Sequence, residues 1–497
     1  MSPNQVIPVE NGALNPIAER VLKVPSLTHE YGKDGIVIAV KAELIVRGAL
    51  IDTEPRFYEA LKEVADRIGT VVELERPGTK LVTRDSTTSQ ESERAEPAEP
   101  ADYDFRGNPL HPQLAELEIW RLKDPETRNS IDEARRLRAL VKQEPVPIPG
   151  GQQVPVISPN HVAILCPAAG GCPAAPPQPA PPPGDPFVEP PGSESTAKVT
   201  ILDSGYIWTD PPHHNLDERV TVVSGQSLDP SGAWIPDEPD GVYTDPAGQL
   251  DGISGHGTFI AGLISHIAPR TRLEVVGLRN QEVEIPVLDP GTELGLFETE
   301  VAIAHSMLLR CDTDVIQCGF AFPTLDDYPS LPFAAVMAQL REETAPHGGR
   351  VAVVAPAGNE QSRRRYWPAA LPDVIGVAAT NRRGNARAWF SNWGDWCDCC
   401  ARGEYIYSTF IHWDGPVEGE PLTDIEDFDG WARWDGTSFA APKVSAEIAR
   451  LYAEGAGEPA DIGNALIAGT AGVPVTPVTD ATLSGAPGVT LPYLHIR

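Results

Sequence analysis

The stretch Gly436-Thr437-Ser438-Phe439-Ala440-Ala441-Pro442 places a serine where a short turn meets an apolar, alanine-rich helix predicted from Ala440 to Tyr452. A serine hydroxyl is a poor nucleophile at neutral pH. A reactive one needs a base, a carboxylate that orients the base, and hydrogen-bond donors for the developing oxyanion. Gly-Thr-Ser is also an ordinary turn and helix N-cap, so the heptapeptide has two interpretations until the rest of the chain is considered.

Three polar residues upstream follow strong local patterns. Asp203 ends an apolar strand predicted over Lys198–Leu202, and side chains at the carboxyl ends of parallel strands commonly form binding sites. His256 stands between two glycines at the start of an apolar helix. Asn359 follows a buried strand, predicted over Arg350–Ala355, and a glycine turn. A side-chain amide at that position can donate a hydrogen bond to an oxyanion.

The order Asp, His, Asn, Ser, each in its flanking motif, resembles the subtilisin-like serine proteases, the subtilase family. The resemblance covers roughly residues 197–490 and is carried by Asp203-Ser-Gly, Gly255-His256-Gly-Thr, Ala357-Gly-Asn359 and the heptapeptide. It implies an α/β fold with a mainly parallel sheet flanked by helices. It also implies a serine endopeptidase with Ser438 as nucleophile, His256 as general base and acid, Asp203 as the orienting carboxylate and Asn359 in the oxyanion hole. A catalytically silent peptide-binding module is the alternative.

The resemblance further implies two substrate-binding segments. Gly319, Phe320 and Ala321 stand where the family pairs a strand with the substrate backbone. The family usually has Asn-Leu-Ser-Leu-Gly-Gly there, so the phenylalanines at 320 and 322 are predicted to change the flanking pockets. The opposite wall of the pocket is predicted to consist of Ala355, Pro356, Ala357 and Gly358.

Composition limits the class of partner. The 497-residue chain has a formal net charge of −31, which argues against nucleic acid and anionic membranes and leaves a protein or peptide substrate. No stretch approaches the ~20 apolar residues of a membrane helix. The N-terminus lacks the basic and apolar regions of a signal peptide. The sequence therefore predicts a cytoplasmic protein, with leaderless export left open.

The seven cysteines give no clear site. Cys397, Cys399 and Cys400 have the spacing of half a metal site, but no second Cys/His pair follows at a suitable distance. Packed thiols, metal binding and a redox role all stay open. No cofactor is predicted; calcium is possible, as in relatives of the family, but no residues are assigned to it.

Proline content divides the chain. Sixteen prolines fall between Pro145 and Pro191, which predicts a semi-rigid linker over 144–196 between an N-terminal α+β region, 1–143, and a peptidase domain, 197–497. Within the linker, Val154–Leu165 is expected to dock as a strand. The N-terminal region is interpreted as a pro-domain, a partner-recognition domain or a structural cap.

Hydrophobic periodicity predicts the remaining strands and helices. Strands are predicted over Gly35–Val46, Thr70–Leu74, Arg272–Gly277, Val315–Cys318 and Val374–Ala378. Helices are predicted over Phe57–Ile68, Gln113–Leu122, Asn129–Val141, His256–Ile267, Glu298–Arg310 and Leu331–Glu343. An acidic insertion, Ile411–Trp434, is expected as a loop before the nucleophile.

Overall fold

The computed structural model describes most of the chain after residue 197 and shorter stretches before it. The described residues are 27–32, 35–47, 72–75, 117–121, 129–141, 146–147, 152–164, 175–181, 197–208, 216, 219–228, 234–236, 248–250, 252–278, 297–309, 312–342, 350–417, 421–480 and 488–496. The helix predicted over 57–68 lies outside them.

The elements before residue 197 are mostly strands. They are β1 (Leu27–Gly32), β2 (Gly35–Arg47), β3 (Val72–Glu75), β4 (Leu117–Arg121), helix α1 (Ser130–Val141), β5 (Val146–Pro147), β6 (Gln153–Val154), β7 (Ile157–Ile164) and β8 (Gln178–Pro179). Asn129 caps α1, because its side-chain oxygen accepts the Asp132 N–H at 3.0 Å.

The strands after residue 197 include the predicted parallel set. They are β9 (Lys198–Asp203), β10 (Val220–Ser224), β11 (Gln226–Leu228), β12 (Trp234–Pro236), β13 (Arg272–Gly277), β14 (Phe297–Thr299), β15 (Val315–Cys318), β16 (Ala352–Pro356), β17 (Val374–Thr380), β18 (Cys399–Arg402), β19 (Ile406–Gly415), β20 (Glu426–Trp434), β21 (Val475–Asp480) and β22 (Val489–Leu494). The helices are α2 (His256–Ile267), α3 (Glu300–Leu309), α4 (Leu331–Glu342), α5 (Thr437–Ala453) and α6 (Pro459–Ile467).

Nine strands form the central sheet in the order β10-β13-β9-β15-β16-β17-β18-β22-β21. Neighbouring strands are parallel except for the last pair, β21 and β22. β15, β16 and β17 are buried along their whole length, as strands covered on both faces must be. The predicted α/β fold is confirmed.

The two faces of the central sheet belong to two hydrophobic cores. On β16, Val353 and Ala355 pack in the core that contains α3 and α4. Ala352 and Val354 pack in the opposite core, with α2 and α5. This alternation follows from the two-residue period of a strand. It places α2 and α5, which carry His256 and Ser438, on the same face.

An antiparallel sheet combines the N-terminal region with the region after 197. Its order is β14-β7-β2-β4-β3, with β1 on β2. The predicted docking of Val154–Leu165 is confirmed, since β7 pairs with both β2 and β14. The domain boundaries stay predictions, although strands β5 to β8 all lie within the predicted linker.

The predicted helix over Gln113–Leu122 is wrong. Its residues Leu117–Arg121 form β4, between β2 and β3. The segment Leu-Glu-Ile-Trp-Arg fits a two-residue period as well as a helical one. Pairing with two distant strands decides between them, because backbone hydrogen bonds on both sides outweigh a weak local preference.

The N-terminal sheet packs on α3 and α4. Its residues Ile38, Ile45 and Val162 share one hydrophobic core with residues of those helices. Arg135 of α1 forms ion pairs with Glu30 and, at 2.7 Å, with Asp326. A buried hydrogen bond joins His161 Nδ1 to Glu300 Oε1 at 2.8 Å. Polar and apolar contacts therefore both fix this sheet against the parallel part of the molecule.

The acidic insertion Ile411–Trp434 is not a loop throughout. Most of it belongs to a hairpin in which β19 and β20 pair antiparallel, from Ile406↔Trp434 to Gly415↔Glu426. Ser408 and Thr409 of β19 donate hydrogen bonds to the carbonyls of Phe259 and Thr258 on α2. The hairpin is thereby attached to the helix that carries His256. No helix within the described part of the chain is long and apolar enough to cross a membrane.

Candidate active site

Asp203 and His256 form a buried pair at the carboxyl edge of the central sheet. Asp203 is the last residue of β9 and His256 the first of α2, and both are fully buried. His256 Nδ1 lies 2.8 Å and 2.9 Å from the two carboxylate oxygens. The Ser204 N–H also donates to Oδ1, at 2.7 Å. The structure therefore pairs Asp203 with His256, as the sequence predicts.

Glycines allow the close approach of this pair. A Cβ at Gly257 would lie 2.0 Å from the carbonyl oxygen of Gly205. A Cβ at Gly319 would lie 1.6 Å from Asp203 Oδ2. Gly319 was predicted only as a substrate-binding residue. The structure gives it a second role, because any side chain there would displace the carboxylate.

Aromatic rings enclose the imidazole. The ring of His256 lies 5.8 Å from that of Trp434 in an edge-on arrangement, and 5.3 Å from that of Phe439. Phe259 completes the cluster, at 4.5 Å from Phe439. Phe439 follows Ser438 directly, so its contact with His256 brings the start of α5 to the imidazole. The enclosure also lowers the local polarity, which strengthens the Asp203–His256 interaction.

Ser438 lies in the first turn of α5. The helix begins at Thr437, three residues earlier than the sequence predicted, and Ser438 is 1% exposed. Backbone N–H groups in a first helical turn lack partners within the helix, and the helix dipole favours negative charge there. The position therefore combines a hydroxyl with donors suited to an anion.

The amide of Asn359 is oriented by Thr437. Its Oδ1 accepts two hydrogen bonds, from the Thr437 N–H at 3.0 Å and from Thr437 Oγ1 at 2.9 Å. Its Nδ2 is buried and has no hydrogen-bond partner among the described residues. An unpaired buried donor is costly, and such groups concentrate where function requires them. The structure thus brings Asp203, His256, Asn359 and Ser438 together at one edge of the sheet.

Asn392 holds the loop that carries Asn359, and the sequence did not assign it a role. Its Oδ1 accepts the N–H groups of Glu360 and Ser362, at 3.0 Å and 2.9 Å. Its Nδ2 donates to the Ala357 carbonyl at 2.9 Å. Burial raises the pKa of the neighbouring Glu360 carboxyl to about 7. Only the motif Ser-Asn-Trp-Gly around Asn392 could have indicated this position.

The predicted substrate-binding segments lie at the same edge, but not every side chain faces a pocket. Phe320 is 1% exposed and its ring packs on Phe333 at 6.0 Å. Phe322 is also buried, and its ring lies 5.9 Å from that of Phe333. Both rings belong to the hydrophobic core, which corrects the expectation that they change the flanking pockets. Ala321, Ala355, Pro356, Ala357 and Gly358 are also buried, and their backbones remain candidates for substrate contacts.

The clustered cysteines are buried thiols. Cys397, Cys399 and Cys400 form no disulfide, and burial raises the pKa of each thiol. Thiols are weak nucleophiles and weak metal ligands in their protonated form, so the structure favours the packed-thiol interpretation. Within the described ranges, no group of three or more His, Cys, Asp or Glu side chains could hold a metal ion. Calcium binding stays a prediction.

Lys443 is a buried cation on α5, five positions after Ser438. It is 3% exposed. Burial, reinforced by the charge of Arg402, lowers its pKa from 10.5 to about 7. Between these two values the unfolded chain binds a proton that the folded chain does not. The free energy of unfolding should therefore rise with pH from 7 towards 10, by up to ~1.4 kcal/mol per pH unit.

We expect Lys443→Met to stabilise the protein below pH 7 and to flatten that pH dependence. Denaturant unfolding between pH 6 and 9 measures both effects. Lys198→Met is the matched control, because Lys198 is paired with Glu274 and Asp312 at the surface. An unchanged slope in Lys443→Met would contradict the prediction.

A mainly parallel sheet with this Asp–His pair at its edge, and a serine in the first turn of another helix on the same face, is the arrangement of subtilisin-like proteins. A model of the subtilase family matches residues 194–487, more than half of the chain. The chain belongs to the subtilase family.

Curated relatives agree with this assignment at low identity. The "Thermophilic serine proteinase" of Bacillus sp. (strain AK1) is 26% identical over 271 residues, which cover 52% of this chain and 53% of the relative. Thermitase of Thermoactinomyces vulgaris is 26% identical over 262 residues, covering 52% of this chain and 76% of thermitase. This chain thus spans about half the length of the Bacillus relative.

Among solved structures, the chain is similar to fervidolysin from Fervidobacterium pennivorans, which is described as a keratinolytic enzyme related to subtilisin. The alignment covers 88% of this chain and 58% of the fervidolysin chain, at 16% sequence identity. The TM-score is 0.47.

Proposed function

We propose that this protein is a serine endopeptidase that hydrolyses peptide bonds through an acyl-enzyme on Ser438. In this mechanism His256 removes the proton of the Ser438 hydroxyl as the oxygen attacks the scissile carbonyl. His256 then delivers that proton to the leaving amine. Water attacks the resulting ester by the same route in reverse, and the free acid leaves. The substrate is a protein or a peptide.

The Asp203–His256 geometry supports the assigned roles. Both carboxylate oxygens lie within hydrogen-bond distance of Nδ1, and this contact keeps a proton on that nitrogen. The lone pair of Nε2 is then the one that accepts the serine proton. Because the pair is fully buried, the carboxylate stabilises the imidazolium more strongly than it would in water.

The observation that carries the proposal is the orientation of Asn359. Thr437 binds its oxygen, so the amide N–H₂ remains as a donor beside the start of α5. A buried donor held in advance next to a serine stabilises the oxyanion of an acyl transfer and has no purpose in a structural turn. This favours an active enzyme over a silent peptide-binding module.

Replacing Asn359 with leucine should lower kcat by ~10²–10³-fold and change KM little, because the lost hydrogen bond forms only in the transition state. Steady-state hydrolysis of a peptide substrate measures kcat and KM separately. Thr437→Ser keeps the hydroxyl that orients the amide and serves as the control, with activity near wild type. Equal losses of kcat in the two variants would contradict the oxyanion role.

Covalent labelling distinguishes the enzyme from the silent module. A fluorophosphonate probe forms a stable adduct only with an activated serine, so wild-type protein should become labelled on Ser438. Mass spectrometry of the digested protein locates the adduct. A wild-type protein that stays unlabelled, as purified and after limited proteolysis of the N-terminal region, would favour the silent module.

The N-terminal region fits a pro-domain better than a partner-recognition domain. Its sheet reaches the region after residue 197 through β14, which pairs antiparallel with β7 and leads directly into α3. The sheet also shares a hydrophobic core with residues of α3 and α4. A region attached in both ways to the peptidase part of its own chain is suited to restrain activity until it is removed.

A further inference from the structure

A proline-rich segment of this chain lies along the strand that leads to the nucleophile. Residues 175–181, Ala-Pro-Pro-Gln-Pro-Ala-Pro, include β8, which pairs antiparallel with the end of β20. Pro179 is opposite Ala432, and Gln178 is opposite Arg433. Ala180 donates its N–H to the Trp431 carbonyl at 3.3 Å. We call residues 175–181 the strap.

The sequence of the strap suits one-sided pairing. Prolines stand at 177, 179 and 181, so only Gln178 and Ala180 have backbone N–H groups between them. In a strand, alternate N–H groups point to opposite sides. The donor of Ala180 faces β20, and the positions that would face away carry proline. Proline is accepted at the outer edge of a sheet for this reason, and it prevents a further strand from adding.

The strap also contacts the wall of the active site. Trp434 Nε1 donates a hydrogen bond to the Ala175 carbonyl at 2.7 Å. The same indole ring lies edge-on to the His256 imidazole at 5.8 Å. Trp434 is the last residue of β20, and Ser438 follows four positions later. The edge that holds the strap is therefore continuous with the catalytic residues. The predicted substrate segment at 355–358 instead contacts Thr437, whose Oγ1 accepts the Gly358 N–H at 3.1 Å.

We propose that the edge of β20 from Trp431 to Trp434 is a substrate-binding surface on the leaving-group side of the cleaved bond, and that the strap occupies it as an internal competitor. The favoured substrate has an extended, proline-rich segment after the cleavage site. Such a segment is already extended, so it loses little conformational entropy on binding. Backbone pairing provides affinity, and the indole provides a donor for one carbonyl. This proposal rests on the proposed peptidase activity.

Variants of the strap in the full chain test it. Ala180→Pro removes the N–H that pairs with Trp431, whereas Pro179→Ala adds an N–H on the opposite side and is the matched control. Two substrates share the same acyl side. One continues for six residues after the bond, as Ala-Pro-Pro-Gln-Pro-Ala, and the other ends in a small chromogenic amide.

We expect Ala180→Pro to raise kcat/KM for the long substrate about fivefold, the effect of one backbone hydrogen bond, with no change for the short substrate. Pro179→Ala should match wild type with both. Equal changes for both substrates, no change for either, or the same result in the control would overturn the proposal.

A binding measurement separates failure of this proposal from failure of the peptidase assignment. On a Ser438→Ala background, a fluorescein-labelled peptide Ala-Pro-Pro-Gln-Pro-Ala-Pro is titrated and its anisotropy measured. Ala180→Pro chains should bind it about fivefold more tightly than Pro179→Ala chains, and the peptide with proline in place of its second alanine should bind more weakly. Equal binding in all cases overturns the proposal whether or not wild-type protein hydrolyses peptides.

Discussion

Ser438→Ala is expected to lower kcat for peptide hydrolysis on the order of 10⁶-fold and to abolish fluorophosphonate labelling. Ser438 is the residue that the proposed mechanism acylates, so no acyl-enzyme can form without its hydroxyl. Loss of the nucleophile has an effect of this size in a serine protease of the same family. Residual hydrolysis should come only from direct attack of water on the scissile carbonyl, with the oxyanion donors stabilising the resulting negative charge. Stopped assays with the long and short substrates measure the loss.

Ser445→Ala is the control for this variant. Ser445 lies on the same helix, about two turns after Ser438, and donates a hydrogen bond to Gln317 Oε1 at 2.6 Å. Its removal should cost about 1–2 kcal/mol of unfolding free energy and leave kcat unchanged. Comparable activity in Ser438→Ala and Ser445→Ala would eliminate Ser438 as the nucleophile.

Asp203→Asn is expected to lower kcat ~10⁴-fold without unfolding the protein. The amide has the shape of the carboxylate, but its N–H₂ group would face Nδ1 and drive the imidazole proton to Nε2. The base then presents a proton to Ser438 instead of a lone pair, and the buried imidazolium loses its counter-ion. Hydrolysis rates and circular dichroism together separate this effect from misfolding.

Asp312→Asn removes another carboxylate near β9 and is the control for Asp203→Asn. Asp312 is exposed and contacts Lys198 at 3.3 Å. Surface ion pairs of this kind contribute little, so both stability and kcat should stay near wild type. An Asp203→Asn protein that retains more than a tenth of wild-type activity would show that His256 does not depend on this carboxylate for its tautomer.

The Asp203–His256 pair, the helix start at Ser438 and the parallel sheet could be predicted because their signals are local. β9, β13, β15, β16 and β17 are short, continuous apolar runs, and α2 and α5 follow glycine turns with helical periodicity. Local patterns were less reliable where pairing decided the element. Leu117–Arg121 fits both periods, and only β2 and β3 make it a strand.

Sequence alone determined which residues the subtilase motifs and their order single out: an aspartate, a histidine, an asparagine and a serine. Only the tertiary structure decided how they are held. The orientation of the Asn359 amide depends on Thr437, and the space for Asp203 depends on Gly319. The strap pairs with β20 across more than 250 residues of sequence. These contacts join segments distant along the chain, and no local composition or periodicity encodes such a contact. A run of prolines therefore indicates a linker by itself and becomes a bound strand only when Trp431 and Trp434 lie beside it.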